Sequence, residues 1–353
     1  PPLQTWGINF NRWIRRKAED AFWSWIGQTD QGYSSLFGHV FGLANLPQPR
    51  RLEILPYVNG TEERLASGTA GDPFNDGSRE VARAGLDIKY GLTSNLTLNA
   101  TVNPDFGQVE ADPAEVNLTA YETYFQERRP FFVEGANIFS GGNQQYFYSR
   151  RIGRAPQRFA AAPEGGFADQ PTSATILGAT KLTGRTAGGW SVGLLEAVTA
   201  REYATLADSL GERTREVVEP LTNYGVLRAR RDFRGGASTL GFIGTAVNRR
   251  LDDDRLDFLR SSAYAGGLDF THRFSANRFS LTGSLGCSYI GGDTAAIRRA
   301  QVSSARYFQR PDAGHVAVDP LRTSLTGWTG SLRFARVQGS YIYSASASAT
   351  SID

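Results

Sequence analysis

Five pairs of segments with alternating polarity constrain this chain more than any other feature. At 85–92, Leu86, Ile88, Tyr90 and Leu92 share one side of an extended backbone, and Asp87 and Lys89 take the other. After Thr93-Ser94-Asn95 the alternation resumes, with Leu96, Leu98, Ala100 and Val102 opposite Asn95, Thr97, Asn99 and Thr101. Period-two alternation across a tight connection is a β-hairpin. The pattern returns in 173–183 with 190–199, 223–233 with 239–248, 264–274 with 279–289, and 328–334 with 340–347. Connections inside the pairs are short, whereas the links 201–221, 249–262 and 291–325 are long and polar. The face opposite the apolar one carries small residues and charges, among them Asp87, Lys89, Asp269 and Arg273.

Strands of about ten residues with one apolar face, short turns at one end and long loops at the other fit an outer-membrane barrel. A soluble sandwich has shorter strands and shorter loops. The fold expected is therefore all-β: an antiparallel transmembrane β-barrel of the outer-membrane type, with aromatic girdles drawn from residues such as Tyr264, Phe274, Phe279 and Tyr289. Residues 341–350 carry no terminal-strand signature, and a barrel must close. Further strands are thus expected past Asp353, and the barrel is expected to be incomplete in this chain.

Composition excludes several alternatives. No apolar run reaches the length of a membrane-spanning helix, so a membrane location requires a closed sheet. The single cysteine, Cys287, rules out an intrachain disulfide framework and a cysteine-rich zinc site. Basic residues are spread among the acids and leave a net charge of only +3, which does not suit a nucleic-acid partner. The chain opens on Pro1-Pro2 and contains no Met, as expected of a processed chain or an internal piece of a longer product. Trp6, Trp13, Trp23 and Trp25 cluster near the start. Apolar packing at a domain edge is the plainer reading of that cluster, and a sugar platform the sharper one.

Residues 103–135 break the alternation. They hold Asp105, Glu110, Asp112, Glu115, Glu122, Glu127 and Glu134 and close on Arg128-Arg129-Pro130-Phe131-Phe132. An acidic segment inserted into a large β-structure reads as plug-like. Three readings of its carboxylates stay open. The first is a ligand-binding or structural polar network with Arg128, Arg129, Arg150, Arg151 and Arg154, since guanidinium–carboxylate forks have fixed geometry. The second is a Ca²⁺ site at Asp105, Glu110 and Asp112, though their spacing is not that of an EF-hand loop. The third is a glycosidase-type acid pair, for which so many acids make chance matches easy. No catalytic residue is assigned. Gly189-Trp190-Ser191-Val192-Gly193 matches a nucleophile elbow by letter, but a turn precedes it and a strand follows, contrary to what that motif needs. His39, His272 and His315 lack metal-ligand spacing.

NLTLNATVNPDFGQVEADPAEVNLTAYETYFQERRPFFVEGANIF at 95–139, with Tyr148-Ser149-Arg150-Arg151-Ile152-Gly153-Arg154, resembles a family of bacterial envelope proteins of unknown function. Its members carry an N-terminal carbohydrate-binding family 9-like (DOMON-like) domain and a C-terminal membrane-associated β-barrel domain. Trp6-Gly7-Ile8-Asn9-Phe10, residues 51–57, 176–184, 219–223 and 304–308 are similar as well. The resemblance implies that 1–45 is the C-terminal end of the carbohydrate-binding-like domain. It also implies that 46–353 is part of an outer-membrane barrel with 103–160 inserted. The expected role is glycan or nutrient binding or uptake at the bacterial outer membrane, without enzymatic activity and without a cofactor. Membrane lipid, and carbohydrate through the missing module, are the expected partners. The alternative is a soluble all-β carbohydrate-active enzyme using carboxylates of 105–134.

Overall fold

A computed structural model describes residues 3–27, 33–44, 51–64, 71–104, 123–140, 144–186, 188–312 and 314–351. The chain begins with β1 (Leu3–Ile8), β2 (Asn11–Ile14), β3 (Glu19–Phe22) and β4 (Gly38–Ala44). These form two small antiparallel pairs, β1 with β4 and β2 with β3. The single strand expected from Trp6 onward is thus two strands with different partners. Asn9 makes the break, since its side chain donates to the Ser24 carbonyl and accepts from the Ser24 N–H. Trp6, Trp13, Trp23 and Trp25 are all exposed, contrary to a packing role in an apolar core.

The main body follows as β5 (Leu52–Arg64), β6 (Ser78–Thr93) and β7 (Leu96–Val102), then the one-turn helix α1 (Pro130–Val133) and β8 (Phe167–Asp169). Next come β9 (Ile176–Arg185), β10 (Trp190–Thr199), β11 (Glu202–Ala207), β12 (Arg213–Glu219), β13 (Thr222–Phe233) and β14 (Ser238–Arg249). β15 (Arg260–Phe274), β16 (Phe279–Gly292), the helix α2 (Thr294–Val302), β17 (Ser324–Arg336) and β18 (Tyr343–Thr350) complete it. β5, β6, β7, β9, β10 and β13 to β18 form one eleven-stranded sheet in which chain neighbours are sheet neighbours. Every pairing is antiparallel. All five expected hairpins are present. The sheet does not close among the described residues, because β5 and β18 are its two edges. Two stretches read as loops contain structure. Residues 201–221 fold as a β11–β12 hairpin joined by β8, and 291–325 holds α2 behind the N-cap Asp293.

Cross-strand partners point to the same side of a sheet, so the register separates two faces. One row runs Lys89, Asn99, Lys181, Leu195, Val226, Thr245, Ala265 and Ser288. The row beside it, turned the other way, runs Ile88, Ala100, Thr180, Glu196, Gly225, Ala246, Tyr264 and Tyr289. We call the first face inner, because the described residues of 129–140 and 144–152 lie against it.

The polarity of the two faces is the reverse of a water-soluble sheet. On the inner face Lys181 and Arg228 are each 1% exposed, and Asn99, Thr101 and Thr183 are buried. On the outer face Leu194, Leu227, Phe242, Trp328 and Leu332 are exposed, with Leu268 at 50% and Leu285 at 56%.

Glycines on the inner face receive the covering segment. A side chain at Gly193 would meet Ile138 and Phe139 at 2.7–3.1 Å, and one at Gly267 or Gly286 would run into the Tyr146 ring. Around these contacts Phe132, Phe139 and Ile152 join Ile176, Leu195, Tyr224 and Val226 in an apolar cluster. The inner face is apolar where the segment touches it, and again at Ile290 and Leu325, which pack against Ile297 and Ala300 of α2.

Gly267→Val should push Tyr146 out of its seat and lower stability by about 1–3 kcal/mol, the range for overpacking a filled site. Gly330→Val, at an outer-face position whose nearest atoms are 3.7 Å or more away, should change it by less than about 0.5 kcal/mol. Thermal unfolding of the two variants measures the difference.

Candidate functional site

The segment expected to carry the chemistry is tied down by a buried arginine fork. Arg129 precedes Pro130, and proline at the first turn of α1 sacrifices no helical hydrogen bond. The Arg129 side chain turns back on Glu127, with Nε donating to Oε1 at 2.9 Å and Nη2 to Oε2 at 2.7 Å. Glu127 Oε1 also accepts the backbone N–H groups of Arg128 and Arg129, each at 3.0 Å, and Oε2 accepts the Ser149 hydroxyl at 2.6 Å. Arg129 further donates to the carbonyls of Ile152 and Ser149 and lies 4.3 Å over the Phe132 ring. Two stretches about twenty residues apart are thereby clamped together.

Burial alone would raise the Glu127 pKa. The hydrogen bonds and charge of Arg129, helped by Ser149, outweigh it and hold the carboxyl at about 2. A carboxylate so stabilised is a poor general acid, since that role requires a raised pKa. Glu134 lies elsewhere and pairs with Lys89 at 2.5 Å.

Lys181 supplies the second anchor. Its amine donates to the carbonyls of Phe131 and Glu134, which α1 leaves without helical partners, and sits 4.9 Å from the Phe131 ring centre. The third inner-face link is the bidentate pair of Arg228 with Asp269, at 2.5 and 3.0 Å. It runs from β13 to β15 over Gly241 of β14, where any side chain would strike the guanidinium. Asp232 forms ion pairs with Arg185 at 3.6 Å and Arg230 at 3.4 Å nearer the turn end.

The structure therefore brings together Glu127, Arg129 and, through the turn at Ser149–Arg151, Arg150 and Arg151. Arg150 stacks 5.9 Å from the Phe125 ring, the Arg151 carbonyl accepts the Tyr224 hydroxyl at 3.5 Å, and Arg128 is exposed. Asp105, Glu110, Asp112, Glu115 and Glu122 lie outside the described residues, and the Ca²⁺ reading rests wholly on them. Among the described residues no group of three or more candidate metal ligands occurs. Sequence reasoning placed Lys89 and Asp269 on the charged face and named Glu134 as a network carboxylate, but it did not pair Lys89 with Glu134, and it missed Arg228, Lys181 and Ser149. A lysine among small residues in ILGATKLTG was the available signal for Lys181. Ser191 lies in β10 after a glycine turn, so the elbow-like motif is a strand.

Residues 48–353 match the family described as Domain of unknown function (DUF5916). No carbohydrate-binding family 9-like domain is found, so that half of the expected resemblance is without support. No curated protein matches the chain. Among solved structures, a loop-L8 deletion mutant of OmpT, an outer membrane protein of Vibrio cholerae, is 9% identical over 85% of this chain and 94% of its own, with a TM-score of 0.30. Pseudomonas aeruginosa OpdK with vanillate is 11% identical over 88% of this chain and 59% of its own, with a TM-score of 0.31. Likenesses this weak carry no weight for fold or function.

The folded pKa of Glu127 lies below its ordinary value of 4.5. Its contribution to stability is therefore full above about pH 5 and fades as pH falls toward 2, by a total on the order of 3 kcal/mol. Glu127→Gln should flatten that part of the stability-versus-pH curve in acid denaturation. Lys181→Met should cost about 1–3 kcal/mol at neutral pH, because two buried carbonyls lose their donor.

Proposed function

We propose that this chain, which belongs to the DUF5916 family of domains of unknown function, is a bacterial outer-membrane β-barrel protein that binds or passes solutes and is not an enzyme. The observation that carries the reading is the reversed polarity of the sheet. A water-soluble protein buries leucine and exposes lysine. This sheet buries Lys181 and Arg228 and exposes Leu268 and Leu285. Lipid on the outside and polar partners within make sense of both.

Aromatic side chains set the width of the apolar zone. On the outer face Tyr264 and Tyr289 stack at 6.0 Å, and ten positions along β15 Phe274 meets Phe279 at 5.5 Å. Phe334 lies 5.8 Å from Phe279, and Tyr343 lies 6.4 Å from Phe334. Ten residues at about 3.4 Å each, tilted by about 40°, rise about 26 Å, close to the roughly 25 Å apolar band of such barrels. On the outer face of β9, β10 and β13 to β17, the charged residues between those levels and at their margins are Glu196, Arg231 and Arg336. Glu196 shares the row of Tyr264, and Arg336 is the partner of Phe279. Arg231 leans over Trp190 and Phe233, a posture that lets a guanidinium reach the interface from an aromatic belt.

Residues 129–140 and 144–152, seated on the inner face, then belong to the plug-like insertion. The stacked inner-face ion pairs suit a wet lumen. Glycan or nutrient uptake is the role most in keeping with such a body, and lipid is its first partner.

Cys287 lies exposed on the outer face and is the partner of Trp328. A fluorophore on Cys287 should be quenched by nitroxide-bearing lipid in vesicles. In a Cys287→Ser background, a cysteine placed at inner-face position Ser288 should instead react with a charged, membrane-impermeant thiol reagent and escape lipid quenching. Free solubility without detergent, with Cys287 open to the charged reagent, would refute the membrane reading.

A further inference from the structure

At the loop end of the inner face, Arg260 lies within electrostatic reach of three other half-buried arginines. Arg249 ends β14, Arg260 begins β15, Arg306 follows α2, and Arg154 lies two residues beyond the covering segment. Arg249 Nη1 donates to the Arg260 carbonyl at 2.9 Å, which locks the two strand ends together. The charges of Arg249, Arg306, Arg154 and Arg299 all act on Arg260, and those of Arg154 and Arg151 act on Arg249. Like charges held this close need an anion.

Among the described residues no ion pair supplies one. No carboxylate there forms an ion pair with Arg154, Arg249, Arg260 or Arg306. The carboxylate acting on Arg249 is Glu219, and its oxygens are engaged by Gln157, whose N–H donates to Oε2 at 2.8 Å and whose side chain donates to Oε1 at 3.1 Å. The Arg249 Nε is buried without a hydrogen-bond acceptor. Burial also pushes the Arg306 guanidinium below its ordinary pKa, as expected of a cation lacking a partner.

We propose that Arg154, Arg249, Arg260 and Arg306 form a binding site for a soluble polyvalent oxyanion, a solute carrying phosphate or several carboxylates. Planar guanidinium forks match such oxygens two at a time, and several forks converging from different elements select for more than one negative charge. The cluster is on the face turned away from the exposed leucines, so a lipid headgroup does not reach it. The ligand class rests on the wet inner face proposed above.

Inorganic pyrophosphate is a suitable probe, titrated calorimetrically into the full chain in zwitterionic detergent. Saturable binding of about one anion per chain is expected, weakening severalfold as salt rises from about 0.05 to 0.3 M. Arg260→Gln with Arg306→Gln should weaken it at least about tenfold, and Arg336→Gln on the outer face should leave it unchanged. Arg306 lies outside the strands, so Arg306→Gln alone, expected to weaken binding about threefold or more, decides the matter if the double variant fails to fold. Absent binding, or equal binding by the wild type and the Arg306 variant, overturns the site; the first of these would mean that the chain's own carboxylates already fill it. A heat-modifiable gel band scored on the same samples separates the two ideas. A barrel that ignores pyrophosphate loses the site alone, and a detergent-free soluble chain that binds it loses the barrel alone.

Discussion

One hydrogen-bond register decides which side chains of this sheet meet other polar groups and which are left bare. Side chains alternate with a period of two, so a slip of one residue would exchange whole faces. Lys181 would change places with Leu182, and Arg228 with Leu227. The inner-face contacts oppose such a slip. Lys181 reaches the Phe131 and Glu134 carbonyls only from its present row, and Arg228 meets Asp269 across an intervening strand only because Gly241 leaves the space open. Polar pairing here contributes uniqueness more than net stability, since the Coulombic gain of a buried pair is largely offset by desolvation.

The covering segment and the sheet depend on one another for the same reason. Ile138, Phe139 and Tyr146 fit where glycine replaces a side chain on β10, β15 and β16. The Glu127–Arg129–Ser149 clamp holds the two arms of the segment at the spacing those seats require. Without the segment, Leu195, Val226 and Tyr224 would face an open polar surface. Without the glycines, the segment could not approach closely enough to cover them.

The hairpins were legible in the sequence because alternation and turn chemistry are local signals. Tyr264 to Phe274 and Phe279 to Tyr289 pair as their polarity indicates, and Phe274 meets Phe279 at the turn. What escaped notice was either weakly patterned or long-range. β11 and β12 are short and polar, packing their few apolar residues in a small cluster of their own, so 201–221 looks like a linker. The pairs Lys89–Glu134 and Arg228–Asp269 join residues more than forty positions apart. Nothing in a single sequence says which distant carboxylate a given lysine will reach. The tryptophans near the start misled in another way. Their size suggests burial, yet among the described residues the two short pairs β1–β4 and β2–β3 leave them exposed.

The edges of the sheet bear most directly on the difference between a membrane barrel and a soluble layer. In water, an edge strand can leave its outward N–H and C=O groups to solvent. In hydrocarbon every such group lacks a partner, at several kcal/mol each. β18 alternates serine and alanine, with Ser344, Ser346 and Ser348 on the inner face and Ala345, Ala347 and Ala349 on the outer. It has the two-sided character of a wall strand and no charge to keep another strand away. β5 carries Pro56, which lacks an N–H and is tolerated where one side of a strand is unpaired. The two edges therefore differ. β18 is built to accept a neighbour along its length, while β5 would accept one with a gap at Pro56. If the outer face meets lipid, both edges must be satisfied there, and the proline marks the place where that closure has least to gain.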